Sequence, residues 1–266
     1  WREERAREYP LPYARLAERV KPERQRKKPS GNYALRKPLP ERWWQYGEKR
    51  PALREALAEL SEMLVIARVS KTVMPLRVLT GQVPSEQLVV FAADDYGAQA
   101  VLSSSLHQLW AITYGSTLET RVRYTPSDVF ETFPLPTTTE RLTAAGAALD
   151  QDRREVMLRR GLGLTKLYNL VNDPALQGDT DITRLRDIHV EIDEAVFAAY
   201  GWDDLRPVHG FHSYRQAERW TLGAASRVEA LDRLLHENHR RAGIRNASLT
   251  LDTASNPDAG ANTLFD

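Results

Sequence analysis

Apolar positions along this chain follow three different rhythms. From residue 1 to 20 the segment is charged, with Tyr9, Leu11, Tyr13, Leu16 and Val20 spaced for short helical pieces around Pro10 and Pro12. Residues 21–40 are rich in Pro, Lys and Arg and predict a loop or arm. Pro51 suits a first helical position, and Leu53, Leu57 and Leu60 share one face of the helix it would open. The rhythm then shortens. Strands are predicted over 63–69, 74–80 and 86–93, with turn signals at Gly81 and Asp94-Asp95. A helix over 99–114 turns Val101, Leu102, Leu106, Leu109 and Trp110 inward. A strand over 117–124 alternates, with Leu118, Thr120, Val122 and Tyr124 on one face and Glu119, Arg121 and Arg123 on the other.

After FETFPLPTTTER the period becomes helical. Pro134 and Pro136 block regular structure, and Thr139 can cap a helix over 140–160. Further helices are predicted over 164–171, 182–200 and 228–240. In the third of these four, Ile182, Leu185, Ile188, Ile192 and Val196 fall in register and Gly201 stops the run. The fold class read from this pattern is α+β. It comprises a basic lead-in (1–50), a β-rich domain (51–136), an α-helical domain (137–242) and a polar tail (243–266) read as disordered.

Composition adds one asymmetry. The net charge is only +1, but residues 1–136 hold 21 Lys/Arg against 16 Asp/Glu, and the rest hold 16 against 20. The first fifty residues are the extreme, 15 basic against 7 acidic, centred on ERQRKKPSGNYALRKP. Such a surface either neutralises phosphates or is simply a solvated basic loop. Trp43, Trp44 and Tyr46 nearby could stack on bases or pack as core. Zero cysteines excludes disulfides and thiolate zinc sites and fits a cytosolic setting. No apolar run approaches the ~20 residues of a membrane helix. The opening WREERAREYPLPY has no apolar signal core and no initiator Met, and reads as the start of a fragment.

The chemistry of catalysis is missing from the sequence. No Gly-rich turn follows a strand, and no Asn-Pro-Pro-aromatic run is present. Asp94-Asp95 has no acid-x-Lys partner at nuclease spacing and reads as a turn; a complete small enzyme built on these two acids is a rival reading. His209 with His212, in a predicted loop, and His236 with His239, on a helix, lack a third ligand in range. Ser103, Ser104 and Ser105 are assigned to a helix with no base nearby in sequence. No catalytic residue, cofactor or metal is assigned to this chain.

A recognition surface remains. Cations stand in mid-strand at Arg68, Lys71, Arg77, Arg121 and Arg123, where a buried unpaired charge is costly. Arg121 and Arg123, two apart, would emerge from one sheet face; Arg68, Ser70, Lys71 and Thr72 cluster at a strand end as a candidate reading loop. Arginine fits the guanine edge, and Arg and Lys clamp phosphates. The alternative pairs Arg121 or Arg123 with Glu119 or another carboxylate.

The run IARVSKTVMPLRVLTGQVPSEQLVVFA, followed by LHQLWAITYGSTLETRVRYTPSDVFETFPLP, resembles the target-recognition domain of MmeI-like single-chain restriction-modification enzymes. RREVMLRRGLGLTKLYNLVNDP and ITRLRDIHVEIDEAVFAAYGWDDL resemble the helical region that follows it, and the likeness runs from about Val20 to Arg241. The resemblance implies a module that selects a double-stranded DNA sequence for a prokaryotic cytoplasmic parent. That parent would carry an adenine-N6 methyltransferase and a nuclease, using S-adenosylmethionine and Mg2+. The implied DNA-binding residues are Arg68, Ser70, Lys71, Thr72, Arg77, Arg121, Arg123 and Thr125, with the parent's methyltransferase domain as the second partner. The rival is a protein-interaction scaffold whose basic arm meets an acidic partner, without base readout; RNA binding is a weaker variant, since no aromatic RNP-like strand is present.

Overall fold

The structure, a computed structural model, describes residues 2–214 and 217–255, with side chains through residue 243. Contacts divide the chain into two units, Trp1–Ala56 and Leu57–Asp266. The first holds α1 (Glu3–Arg7), α2 (Pro10–Arg19), α3 (Lys21–Arg24) and α4 (Pro51–Ala56). Pro10 opens α2 and Pro51 opens α4, where a missing N–H breaks no helical bond. Trp43 is 3% exposed and meets the Tyr13 ring at 5.4 Å and Trp44 edge-on at 5.9 Å, while Tyr46 stays exposed. The basic stretch is an ordered turn rather than an open arm. Lys27 and Tyr33 form an antiparallel bridge, and the Ala34 N–H donates to the Arg26 carbonyl at 2.8 Å. Arg26, Lys27 and Lys28 are left exposed.

The second unit begins with β1 (Glu62–Ala67), β2 (Val69–Ser70), β3 (Leu76–Leu79) and β4 (Leu88–Phe91). A first antiparallel sheet has the order β3-β1-β4. α5 (Tyr96–Ser103) and α6 (Ser105–Tyr114) follow where one helix was expected. Ser104 divides them: its hydroxyl donates to the Val101 carbonyl (2.7 Å) and accepts from the His107 N–H (3.2 Å), closing one helix and capping the next. β5 (Ser116–Leu118) and β6 (Arg121–Arg123) then form a hairpin, not the single expected strand. Glu119, at φ 57°, makes the turn. Together with β2 they give a second sheet of order β2-β6-β5.

α7 (Pro126–Val129), α8 (Glu140–Arg160), α9 (Leu164–Val171) and α10 (Thr180–Ala199) come next. Thr139 caps α8 as its position suggested, accepting from the Leu142 N–H at 3.2 Å. All five apolar positions of the α10 stripe are buried. A second hairpin, β7 (His209–Tyr214) and β8 (Ala217–Leu222), replaces an expected loop, and α11 (Ala224–Ser255) ends the description. Residues 243–255 are thus helical, in place of the disorder expected of them; 256–266 lie outside the described residues.

One apolar cluster runs from Leu64 through Leu149 and Ile188 to Leu234. The sequence change near Pro136 separates strand-rich from helix-rich chain without separating two cores, and the fold is α+β. Among the described residues, no helix is long and apolar enough to cross a membrane. α8 crosses α5 closely at Gly146, where a Cβ would stand 1.9 Å from the Tyr96 carbonyl oxygen. Backbone cannot swing aside, so Gly146→Ala is expected to lower stability by about 1–3 kcal/mol. Gly178→Ala, which meets nothing within 4 Å, is the control. Thermal unfolding of the two variants checks this; equal melting temperatures would refute the close crossing.

Candidate functional site

β1 and β2 are nearly one strand, broken at Arg68, and that residue joins the two sheets through its backbone. Its N–H donates to the Gln87 carbonyl beside the first sheet (2.8 Å), and its carbonyl accepts from Tyr124 N–H at the end of β6 (2.7 Å). Within the second sheet Val69 and Ser116 flank Arg123, and Leu118 stands opposite Arg121. Residues directly opposite share a face. One row therefore carries Ser116, Leu118, Arg121 and Arg123, and the other carries Val122, with Tyr124 beyond it. Val122 and Tyr124 are buried, so the first row faces solvent.

Arg123 is exposed and makes no side-chain hydrogen bond or ion pair among the described residues. The Arg121 guanidinium, 42% exposed, meets Glu119 at 2.7 Å across the turn. For Arg121 this is the pairing with Glu119 that the sequence offered as the alternative. Such an exposed pair contributes little stability and can open.

Beneath the sheet, the Tyr124 hydroxyl lies 2.9 Å from His107 Nε2, and His107 Nδ1 lies 2.8 Å from the Leu102 carbonyl. A neutral imidazole donating from Nδ1 and accepting at Nε2 satisfies both partners. Burial lowers the His107 pKa to about 4, against a smaller opposing effect of the Leu102 carbonyl. Burial likewise pushes the Tyr124 phenol far above its usual range.

The turn after β2 is held from three sides. Ser70 Oγ accepts from the Thr72 N–H (3.0 Å), Arg219 Nη2 donates to the Lys71 carbonyl (3.1 Å), and Arg153 Nη2 donates to the Pro75 carbonyl (2.8 Å). Lys71 itself is exposed and Thr72 is buried. Arg68 is half-buried, in the row of Tyr124, with an Nε that has no partner. Thr125 opens α7 through its carbonyl, which accepts from Asp128 and Val129, and its side chain caps nothing.

Arg77 corrects the sequence expectation most sharply. Its side chain is 2% exposed and belongs to the other sheet. Nε donates to Gln99 Oε1 (3.2 Å), Nη1 donates to Glu62 (3.3 Å) and to the Asp94 carbonyl, and the guanidinium covers the Tyr96 ring at 4.1 Å. An interior brace cannot also touch an external ligand. Asp95 caps α5 by accepting from the Ala98 N–H at 2.6 Å, which agrees with a turn.

The helical half uses its charges internally. Arg141, Arg159, Arg160, Arg184 and Arg233 each face a carboxylate. A groove of about 450 Å³ between Tyr200 and Arg241 is lined by arginines already paired with Asp204 and Glu237. His209, on β7 rather than in a loop, lies 2.7 Å from the buried Asp193 carboxylate, which also accepts the Ser105 N–H. Burial opposes protonation of His209, but the Asp193 bond and charge outweigh it and raise its pKa. His236 and His239 are exposed. Among the described residues no group of three or more His, Asp or Glu is placed to hold a metal ion.

The sequence reading missed Arg219 and the hairpin carrying it. Phe211, Trp220 and Leu222 mark alternate positions there and were the available signal.

The family described as "MmeI, target recognition domain" matches residues 4–137, which take in all but the start of the first unit and both three-stranded sheets. That is just over half of the 266 residues, and the chain belongs to this family. Among solved structures it is similar to one titled as the Type IIL restriction-modification enzyme MmeI in complex with DNA. The identity is 20% and the TM-score 0.48, covering 69% of this chain and 22% of that one. The chain thus spans about a fifth of that protein's length. No curated protein matches.

The histidine beneath the sheet gives a pH signature. His107 is neutral in the fold down to about pH 4, while its unfolded counterpart takes up a proton near 6.5. Stability should therefore fall as pH drops from 6.5 to about 4, by at most about 3 kcal/mol for this residue. His189, also lowered to about 4 by burial, acts in the same direction. The raised His209 works oppositely, stabilising below 6.5 and losing its contribution as pH rises through its folded value. Denaturant unfolding from pH 7 to 4.5 should show the net acid loss, and His107→Gln, which can keep both hydrogen bonds, should flatten it. An unchanged slope in that variant would rule out His107 as the cause.

Proposed function

We propose that this chain is the module through which an MmeI-like restriction-modification protein reads a specific sequence in double-stranded DNA. The observation that carries the reading is the outer row of the second sheet. Arg123 is exposed without an intramolecular partner among the described residues, beside Arg121, on a hairpin anchored underneath by Val122 and Tyr124. A two-stranded ribbon fits the major groove, and a guanidinium there binds the guanine edge through two hydrogen bonds. Opening the Glu119 pair frees Arg121 for the same role. Lys71 would meet a phosphate or base edge from the neighbouring turn, and Arg26, Lys27 and Lys28 would add sequence-independent phosphate affinity. Ser70, Thr72 and Thr125 shape the turns around these cations. Arg68 stands behind them, and Arg77 serves the interior alone.

In this reading the parent carries an adenine-N6 methyltransferase and a nuclease on residues outside this chain, with S-adenosylmethionine and Mg2+ as their cofactors. The methyltransferase would hold the duplex from the other side while its target base is flipped out. The parent would act in the cytoplasm of a prokaryote, where its DNA lies.

Methylome sequencing of cells expressing the parent gene should return one recurrent adenine-methylated motif. On a duplex bearing it, Arg123→Ala should weaken binding by about 1–3 kcal/mol, roughly 5- to 150-fold. Arg121→Ala should have a smaller effect, because Glu119 competes for that side chain. Affinity should fall steeply with added salt, and Lys27→Ala with Lys28→Ala should lessen the slope by about one per lost phosphate contact. Wild-type affinity for Arg123→Ala, or binding indifferent to salt, would count against DNA reading.

A further inference from the structure

We infer that Arg219, on the C-terminal β7–β8 hairpin and outside the family match, is a positioning residue for the loop from Ser70 to Pro75. The inference rests on the DNA-reading function proposed above and extends it to the helical half of the chain. Arg219 reaches across 148 positions of sequence to donate from Nη2 to the Lys71 carbonyl at 3.1 Å. Arg153, also outside the matched residues, fixes the far end of the same loop through the Pro75 carbonyl at 2.8 Å. Between these two holds the loop has one further hydrogen bond of its own, Thr72 N–H to Ser70 Oγ. Val73 and Met74 are buried, so the loop's inner side is fixed while Lys71 alone projects.

Arg219 is placed to act as a strut. It sits opposite His212 in the β7–β8 register, and the neighbouring Thr221 is buried, with its hydroxyl 3.5 Å from that of Ser105 at the start of α6. The adjacent Trp220 N–H donates to Asn172 Oδ1 at 2.9 Å, which ties the hairpin to the body of the second unit. Arg219 Nε is buried with no partner, so the side chain bears a desolvation cost that the single bond to Lys71 only partly offsets. Burial correspondingly lowers its pKa, with Tyr214 opposing. A half-buried arginine spent on one main-chain carbonyl, with its Nε shut away from water, is a device for geometry rather than for net stability. The geometry it sets is the direction in which Lys71 leaves the loop, beside the strand that carries Arg121 and Arg123.

The test uses the full 266-residue chain as Arg219→Ala and Arg219→Lys. Losing the bond should speed amide hydrogen exchange in residues 70–74 by about five-fold or more, with exchange in α8 and α10 unchanged. Lysine, which can still donate to the Lys71 carbonyl, should restore protection. In selection from a random duplex library, Arg219→Ala should keep its non-specific affinity and salt dependence, yet return a motif degenerate at one or two positions. Unchanged exchange in 70–74, faster exchange throughout the unit, or a full-strength motif from Arg219→Ala would each overturn the inference. Failure of the wild-type chain to select any motif would strike the DNA-reading proposal instead, leaving the exchange result to judge Arg219 separately.

Discussion

The second unit depends on a chain of buried polar contacts that begins at Arg77. From Glu62 on β1 through Arg77 on β3 to Gln99 on α5 and Asp150 on α8, each side chain satisfies the next, and Arg154 closes the far end. A guanidinium cannot lie inside a protein unless such partners surround it. The bonds from Nε and Nη1, which leave Nη2 without a partner among the described residues, fix the first sheet against two helices at one relative position, where apolar contact alone would tolerate sliding. The loop between β2 and β3 inherits that position, and so does the second sheet, which shares a nearly continuous strand with the first. Rigid support under an exposed hairpin is what a recognition surface requires, since ordering a loose one on binding would consume affinity.

The same residue type does opposite jobs within the second unit. Arg77 and Arg153 are interior braces, Arg219 holds a backbone, and Arg123 faces water, unpaired among the described residues. Charge totals cannot separate these roles. The net charge of +1 is near neutral because the basic excess of the first 136 residues offsets the acidic excess of the rest, where many arginines face carboxylates.

How much was legible in the sequence follows from these roles. The α10 stripe was, because five large aliphatics at helical spacing have no other economical burial. The caps at Thr139 and Gly201 were, because each answers a local need of the backbone. The β5–β6 hairpin was not. Apolar and charged residues alternate straight through Glu119-Thr120, and nothing there advertises a turn, since no glycine supplies the positive φ that Glu119 adopts. Arg77 was misjudged because its partners lie on three other elements, and a mid-strand cation looks alike whether water or Gln99 awaits it. Lys71 and Arg123 are exposed and Arg121 is half-exposed, but the hand that holds Lys71 comes from a hairpin 148 positions away and could not be read locally.

The alternation within β5 and β6 divides the labour of a very short ribbon. Val122 and the adjoining Tyr124 serve as its root, and the remaining side chains hang free of the core. Replacement of a rooted residue is paid in folding, whereas replacement of an outward one is nearly invisible to the rest of the molecule. Variation can therefore accumulate on one side of six residues without eroding the scaffold, and a lineage built on this hairpin can drift toward new partners through single, separable exchanges.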